Sequence, residues 1–267
     1  MNLYNYAVSY LKEHTKNLVN DAVLDDYFEV HKASSLDEAF KRGVVSVNDN
    51  NKRTMANPIA YFRPERKAVI DAILCNFKLN TVRAKYGNDV EELWKDLCSQ
   101  CVPDSEQSPK GAWYKFARNI ITLATYLSEF SDIDELYHEF EKAESPEEKI
   151  KLVNKVSAQV SQWGFAMASN WIKDMGMTGY CKPDQHIRAI IDGIYQTGDN
   201  MKTVFKKVIE VANQCNVSPF KLDRVLFLVG SGDFYGQGHK NIRKLYNGNE
   251  KDFIKCFKAQ MKSGNLK

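Results

Sequence analysis

Along nearly the whole chain, apolar residues recur three and four positions apart, and no series of segments alternates as strands would. The spacing is plain in LYNYAVSYLKEHTKNLV (3–19), PERKAVIDAILCNF (64–77), DVEELWKDLCSQC (89–101) and AWYKFARNIITLATYLSEF (112–130). It returns in SPEEKIKLVNKVSAQV (145–160), NMKTVFKKVIEVANQC (200–215), SPFKLDRVLFLVG (218–230) and EKDFIKCFKAQMK (250–262). Such spacing lines one stripe of a helix with apolar side chains, which must then pack against other helices. The expected fold class is all-α. The punctuation agrees: Pro64 suits a first helical turn, Ser131 reads as a cap for SDIDELYHEFEKA, and Ser145 precedes a proline and two acids. VPDSEQSPKG (102–111) is a breaker cluster. GVVSVNDNNKRTMANP (43–58) is turn-rich and reads as a loop, with a short strand at GVVSV as the alternative.

A chain of 267 residues, 43% apolar and 27% charged, can bury a real core as one large domain or two interlocked lobes. No run of about 18 apolar residues is present, so no membrane span is expected. MNLYNYAVSYLKEHTKN lacks the basic-then-apolar order of a secretory signal, which places the protein in the cytoplasm, at the nucleoid in a bacterium. Of the six cysteines, at 75, 98, 101, 181, 215 and 256, most fall on apolar helix faces, where free cysteine acts as a small hydrophobe. Cys98 and Cys101 form a lone C-x-x-C without a second pair or a histidine at ligand spacing, so neither metal nor cofactor is expected. Net charge is only +3, but it is unevenly spread. Residues 128–149 carry nine acids and two bases, whereas residues 221–267 carry ten bases and four acids. That polarity offers phosphates one attractive region and one repellent one; the alternative is a pair of ordinary solvated faces.

The most informative stretch is QWGFAMASNWIKDMGMTGYCKPDQHIRAII (162–191): a helical pattern with glycines, a Lys-Pro-Asp turn, then a second amphipathic run carrying His186. In WGFAMASNWIKDMG and KPDQHI this stretch resembles the helix-hairpin-helix DNA glycosylase superfamily, the group of endonuclease III and several 8-oxoguanine glycosylases. KGAWYKFARNIITLATYL (110–127) is similar to the helix that precedes that hairpin, and KLDRVLFLVGSGDFYG (221–236) to the family's closing helix. The resemblance covers roughly residues 60–235 and rests on the order of these segments rather than on any single motif.

What it implies is specific. The chain would be a two-lobed helical bundle with a DNA-binding cleft between the lobes, divided into an N-terminal extension (1–55) and a glycosylase-like domain (56–267). The helix-hairpin-helix would occupy about 150–176 and the aspartate loop 177–186. Its partner would be double-stranded DNA, with no membrane and no obligate protein partner. Asp184 would stabilise the cationic sugar formed when a flipped base is released, and would activate water. A helix start fixes the rotamer of such a carboxylate and favours its charged form. The hairpin, with Gln162, Gly164 and Phe165, would hold a phosphate on backbone N–H groups, joined by Lys182 and His186. The family's first hairpin glycine is replaced by Gln162 here, and simple helix punctuation is the plainer account of Gly164. A structural role is the plainer account of His186.

Members that also cut the backbone carry a lysine about eighteen positions before the aspartate, which falls on Ala166 here. Alanine is no nucleophile, so the resemblance implies a monofunctional enzyme or a DNA binder without chemistry. Lys173 and Lys182 are the nearest substitutes, with solvated or phosphate-contacting roles as the alternative. Trp113, Trp163, Tyr114 and Phe116 are candidates to stack on an extruded base, against the usual core role of aromatics at helical spacing. Asn76 matches the place of a gap-filling Asn or Gln. A non-catalytic DNA-binding module and an all-helical protein-interaction domain are the competing readings.

Overall fold

The computed structural model describes residues 2–50, 64–102, 104–232 and 246–263, and all regular structure among them is helical. The α-helices are α1 (Leu3–His14), α2 (Asp21–Tyr27), α3 (Leu36–Asn50), α4 (Pro64–Ile73), α5 (Leu79–Tyr86), α6 (Val90–Gln100) and α7 (Ala112–Leu127). They continue as α8 (Ile133–Glu141), α9 (Pro146–Gln159), α10 (Phe165–Asp174), α11 (Gln185–Tyr195), α12 (Met201–Gln214), α13 (Pro219–Ser231) and α14 (Glu250–Lys262). No helix among the described residues is long and apolar enough to cross a membrane.

The chain divides into two compact units. A central unit holds residues 32–176, and a terminal unit joins residues 1–31 to 177–267. The segment 1–55 is therefore shared: α1 and α2 belong to the terminal unit and α3 to the central one.

Local chemistry sets the helix starts. Ser145 accepts the Glu148 N–H while the Glu148 carboxylate accepts the Ser145 N–H, a capping box with Pro146 in the first turn. Ser218 caps α13 ahead of Pro219, and Asn200 caps α12. The expected Ser131 cap is corrected: Asp132 is the N-cap of α8, accepting from the Glu135 N–H, and Ser131 donates its own N–H to the Glu135 carboxylate at 2.6 Å. Aspartate one position later takes the cap because its carboxylate reaches the third helical N–H as well as serine does and adds charge at the positive helix end.

The loop or strand expected at 43–58 is also corrected over its first half, because α3 runs through Asn50; residues 51–63 lie outside the described residues. Tertiary packing overrides the local pattern. A Cβ on Gly43 would come within 2.4 Å of Leu123 Cδ2 and 3.2 Å of Trp171 Nε1, so the glycine lets α3 lie directly on α7 and α10. The Trp171 indole N–H donates to the Ala39 carbonyl at 3.2 Å, which fixes that approach.

Helix α10 is the core of the central unit. Phe165 and every residue from Met167 to Lys173 are buried, with Trp171 edge-on to Tyr126 and Phe140 and 5.3 Å from the Trp163 ring. In the terminal unit α11 buries Ile187, Ile190 and Ile191, while α14 lays Phe253 and Phe257 against Tyr6 of α1 at 5.5 and 5.1 Å. Each such ring contributes about 1.5–3 kcal/mol of hydrophobic free energy on burial.

Candidate functional site

Asp184 stands in an extended conformation (φ −79°, ψ −176°) as the N-cap of α11. Its Oδ1 accepts the backbone N–H groups of His186 at 2.9 Å and Ile187 at 3.1 Å. Its Oδ2 accepts no hydrogen bond and the carboxylate has no ion pair among the described residues, so one oxygen is fixed and the other is uncommitted. The side chain is half-buried.

The loop that carries it is anchored throughout. The Phe220 N–H donates to the Thr178 carbonyl at 3.1 Å, the Tyr180 ring lies against Phe205, and Cys181 and Pro183 are buried. The Lys182 N–H donates to Oδ1 of Asp223 at 2.7 Å, and Asp223 is itself only 2% exposed in α13. The Lys182 carbonyl accepts the Asp184 N–H at 2.8 Å, closing a tight turn through Pro183. The Lys182 ammonium has no carboxylate partner among the described residues. A buried carboxylate that receives a backbone N–H holds the loop with a charge-assisted bond, roughly twice as strong as a neutral one. Asp223 escaped the sequence reading, although an aspartate inside the apolar run PFKLDRVLFLVG was its visible signal.

His186 turns toward the protein. Its Nδ1 lies 2.5 Å from Oε1 of Glu250, the first residue of α14, and its ring meets Phe227 edge-on at 5.7 Å. A Cβ at position 230 would sit 2.7 Å from the His186 Cβ, so Gly230 lets the start of α11 rest on α13. Glu250, too, was invisible in the sequence, being 64 positions away.

No family model, curated protein or solved structure matches the chain.

The hairpin lies in the central unit, between α9 and α10. Gln162 is exposed and left-handed (φ 66°), the conformation that a glycine would take without strain. Gly164 is the exposed N-cap of α10, brings no side-chain acceptor, and has open space where a Cβ would stand. The turn is held from beneath by α7: the Asn119 amide donates to the Ser161 carbonyl at 2.7 Å, and the Ser161 N–H donates to the Thr122 hydroxyl at 2.9 Å. The Ser157 hydroxyl donates to the Trp163 carbonyl at 2.7 Å. These three braces were not anticipated, because polar residues on an apolar helix look like lapses in its pattern.

Phe165 is 9% exposed, and Ala166 is half-buried in the first turn of α10. Trp113, Phe116 and Trp163 are buried core residues at 1–3% exposure, and Tyr114 is half-buried edge-on to Trp94. Lys173 is 7% exposed, which corrects the expectation of a solvated or phosphate-contacting lysine; α10 is covered on nearly every side there. Asn76 is exposed in a short turn where Cys75, Asn76 and Phe77 all have left-handed backbones (φ 51°, 52° and 62°). Cys98 and Cys101 are free thiols beside a cavity of about 530 Å³ shared with Arg66 and Gln107, and burial pushes the Cys101 thiol up to about 11. A thiol so raised is a poor nucleophile at neutral pH. Among the described residues no three His, Cys, Asp or Glu side chains gather where a metal could bind.

Proposed function

We propose that the chain is a monofunctional DNA glycosylase that hydrolyses the bond between a damaged or mismatched base and its sugar. The observation that carries the reading is the Asp184 carboxylate: rigidly placed and half-exposed, with Oδ2 uncommitted and Lys182, two residues away, without a carboxylate partner among the described residues. Such an oxygen can stabilise developing positive charge on a deoxyribose and take a proton from attacking water. The lysine would meet phosphate. The left-handed Gln162, at the position of the family's first hairpin glycine, and the side-chain-free Gly164 at the start of α10 support the hairpin reading. Ala166 at the expected nucleophile position argues for water rather than a Schiff base. The two-lobed arrangement around a DNA cleft, with duplex DNA as partner, belongs to this same proposal.

Duplex oligonucleotides bearing a panel of lesions test it. At least one lesion is expected to give abasic sites, seen as breaks only after alkali, and borohydride is expected to trap no covalent adduct. Asp184→Asn should lower excision by about 10²–10⁴-fold while duplex affinity stays the same. Excision unchanged in that variant would remove Asp184 from the mechanism. A second reading has its own support: two hydrogen bonds to Oδ1 make Asp184 a complete helix cap, as a non-catalytic DNA-binding module would need. Salt-dependent duplex binding with no base released from any lesion would decide for that module.

A further inference from the structure

Helix α14 reads EKDFIKCFKAQMK, with lysines at 251, 255, 258 and 262. At about 100° per residue these four fall within an arc of about 60°, along about 16 Å of helix. Phe253 and Phe257 point the other way, into the core against Tyr6. Lys251, Lys255 and Lys262 are exposed and Lys258 is partly so, and none of the four has an ion pair among the described residues. The two acids of the helix are both committed to the protein: Glu250 to His186 at 2.5 Å, and Asp252 to the Tyr10 hydroxyl at 2.7 Å. The outer face of α14 thus carries four positive charges and no negative one.

We infer that this lysine stripe is a docking surface for the sugar–phosphate backbone of duplex DNA. One strand offers a phosphate every ~3.4 Å of axis, so the stripe spans about five phosphates, enough to give each ammonium a partner. The position suits the purpose. Glu250 begins the helix and touches His186, two residues beyond Asp184, so the stripe starts beside the aspartate loop and runs away from it. Lysine, a flexible point charge, suits contact without sequence readout. A bilayer surface is disfavoured, because an interfacial helix presents an apolar face outward and here the aromatic residues of α14 are buried; of its large apolar side chains only Met261, at 48%, is exposed.

The inference rests on the reading of the chain as a DNA-engaging protein, not on catalysis by Asp184. It is tested by fluorescence anisotropy with a labelled, undamaged duplex across a salt series. The comparison sets the full chain against a quadruple variant, Lys251→Gln, Lys255→Gln, Lys258→Gln and Lys262→Gln. A second quadruple, Lys95→Gln, Lys110→Gln, Lys115→Gln and Lys151→Gln, removes the same charge from exposed sites of the central unit.

The stripe variant should lose about 3.6 from the slope of log K against log salt, near 0.9 per phosphate, while the control keeps its slope. The corresponding arginine variant should retain the slope, and helical circular dichroism should match in all four proteins. Equal slopes for wild type and stripe variant would overturn the inference, as would an equal loss in the control. Binding to phosphatidylserine vesicles without binding to duplex would overturn it in favour of a membrane. Loss of excision activity with the slope difference intact would instead strike only the proposed chemistry.

Discussion

Two residues hold conformations that their neighbours dictate, and each yields a measurement. Gln162 is exposed and left-handed, where an L side chain is strained by about 1–2 kcal/mol and glycine is not. Glycine loses more freedom on folding, which offsets part of that gain. Gln162→Gly should therefore stabilise the protein by about 0.5–1 kcal/mol in urea unfolding, and Gln162→Val should destabilise it. A destabilised glycine variant would mean that the Gln162 side chain makes a contact worth more than the strain. Asp184 gives the complementary case. Asn caps a helix about as well as Asp, whereas Ala does not, so Asp184→Ala should cost about 1 kcal/mol and Asp184→Asn almost nothing. The pair separates the stability role of this carboxylate from its proposed chemistry, because both variants lose the charge and only one loses the cap.

At the scale of elements, the hairpin is built less by its own sequence than by α7 beneath it. The Asn119 amide is the donor to the buried-side Ser161 carbonyl, and Asn119 is 0% exposed. Asn119→Ala should lower stability by about 1–3 kcal/mol by leaving that carbonyl without its donor. Asn119→Asp should be worse, because it turns a carboxylate toward a carbonyl. Combined with Thr122→Val the losses should not add, since both side chains secure Ser161. The order of stability, read by thermal melts, checks the argument. This arrangement explains what the sequence could and could not disclose. Helices α1, α4, α6 to α9 and α12 to α14 were legible from apolar spacing and caps, and Asp184 from its place before an amphipathic run. Helix α3 was hidden because its glycine and polar residues read as a loop until Leu123 and Trp171 are set against Gly43. The partners Asp223, Glu250, Asn119 and Thr122 were hidden for the same reason: each acts on a residue 39 to 64 positions away, and no local pattern records that distance.

At the scale of the molecule, much of the acidic stretch 128–149 is committed to the protein's own helix caps and ion pairs. Asp132 caps α8, Glu135 takes the Ser131 N–H, Glu148 completes a capping box, and Glu141 pairs with Lys32 at 2.9 Å. Four carboxylates of the central unit are held below their ordinary range: Glu38, Asp96, Glu148 and Glu139, where burial opposes the shift and the Lys142 and Lys155 ammoniums outweigh it. The Ser34 N–H, with help from Arg42, lowers Glu38 from 4.5 to about 2. The Lys85 ammonium and the Tyr86 hydroxyl lower Asp96, and the Ser145 N–H and hydroxyl lower Glu148. A depressed folded-state value means that the unfolded chain binds the proton first as pH falls. The stability from these groups is therefore complete above about 4.5 and drains away as pH drops through the folded values. Glu38 reports this most cleanly. Its side chain is 34% exposed, so solvent screening holds its contribution to about 1 kcal/mol, well under the full conversion of the shift. Glu38→Gln should accordingly lower the urea midpoint at neutral pH, and the gap to wild type should narrow steadily between pH 4.5 and about 2. A gap that stays constant across that window would show that Glu38 stabilises α3 through packing or a neutral hydrogen bond rather than through its charge.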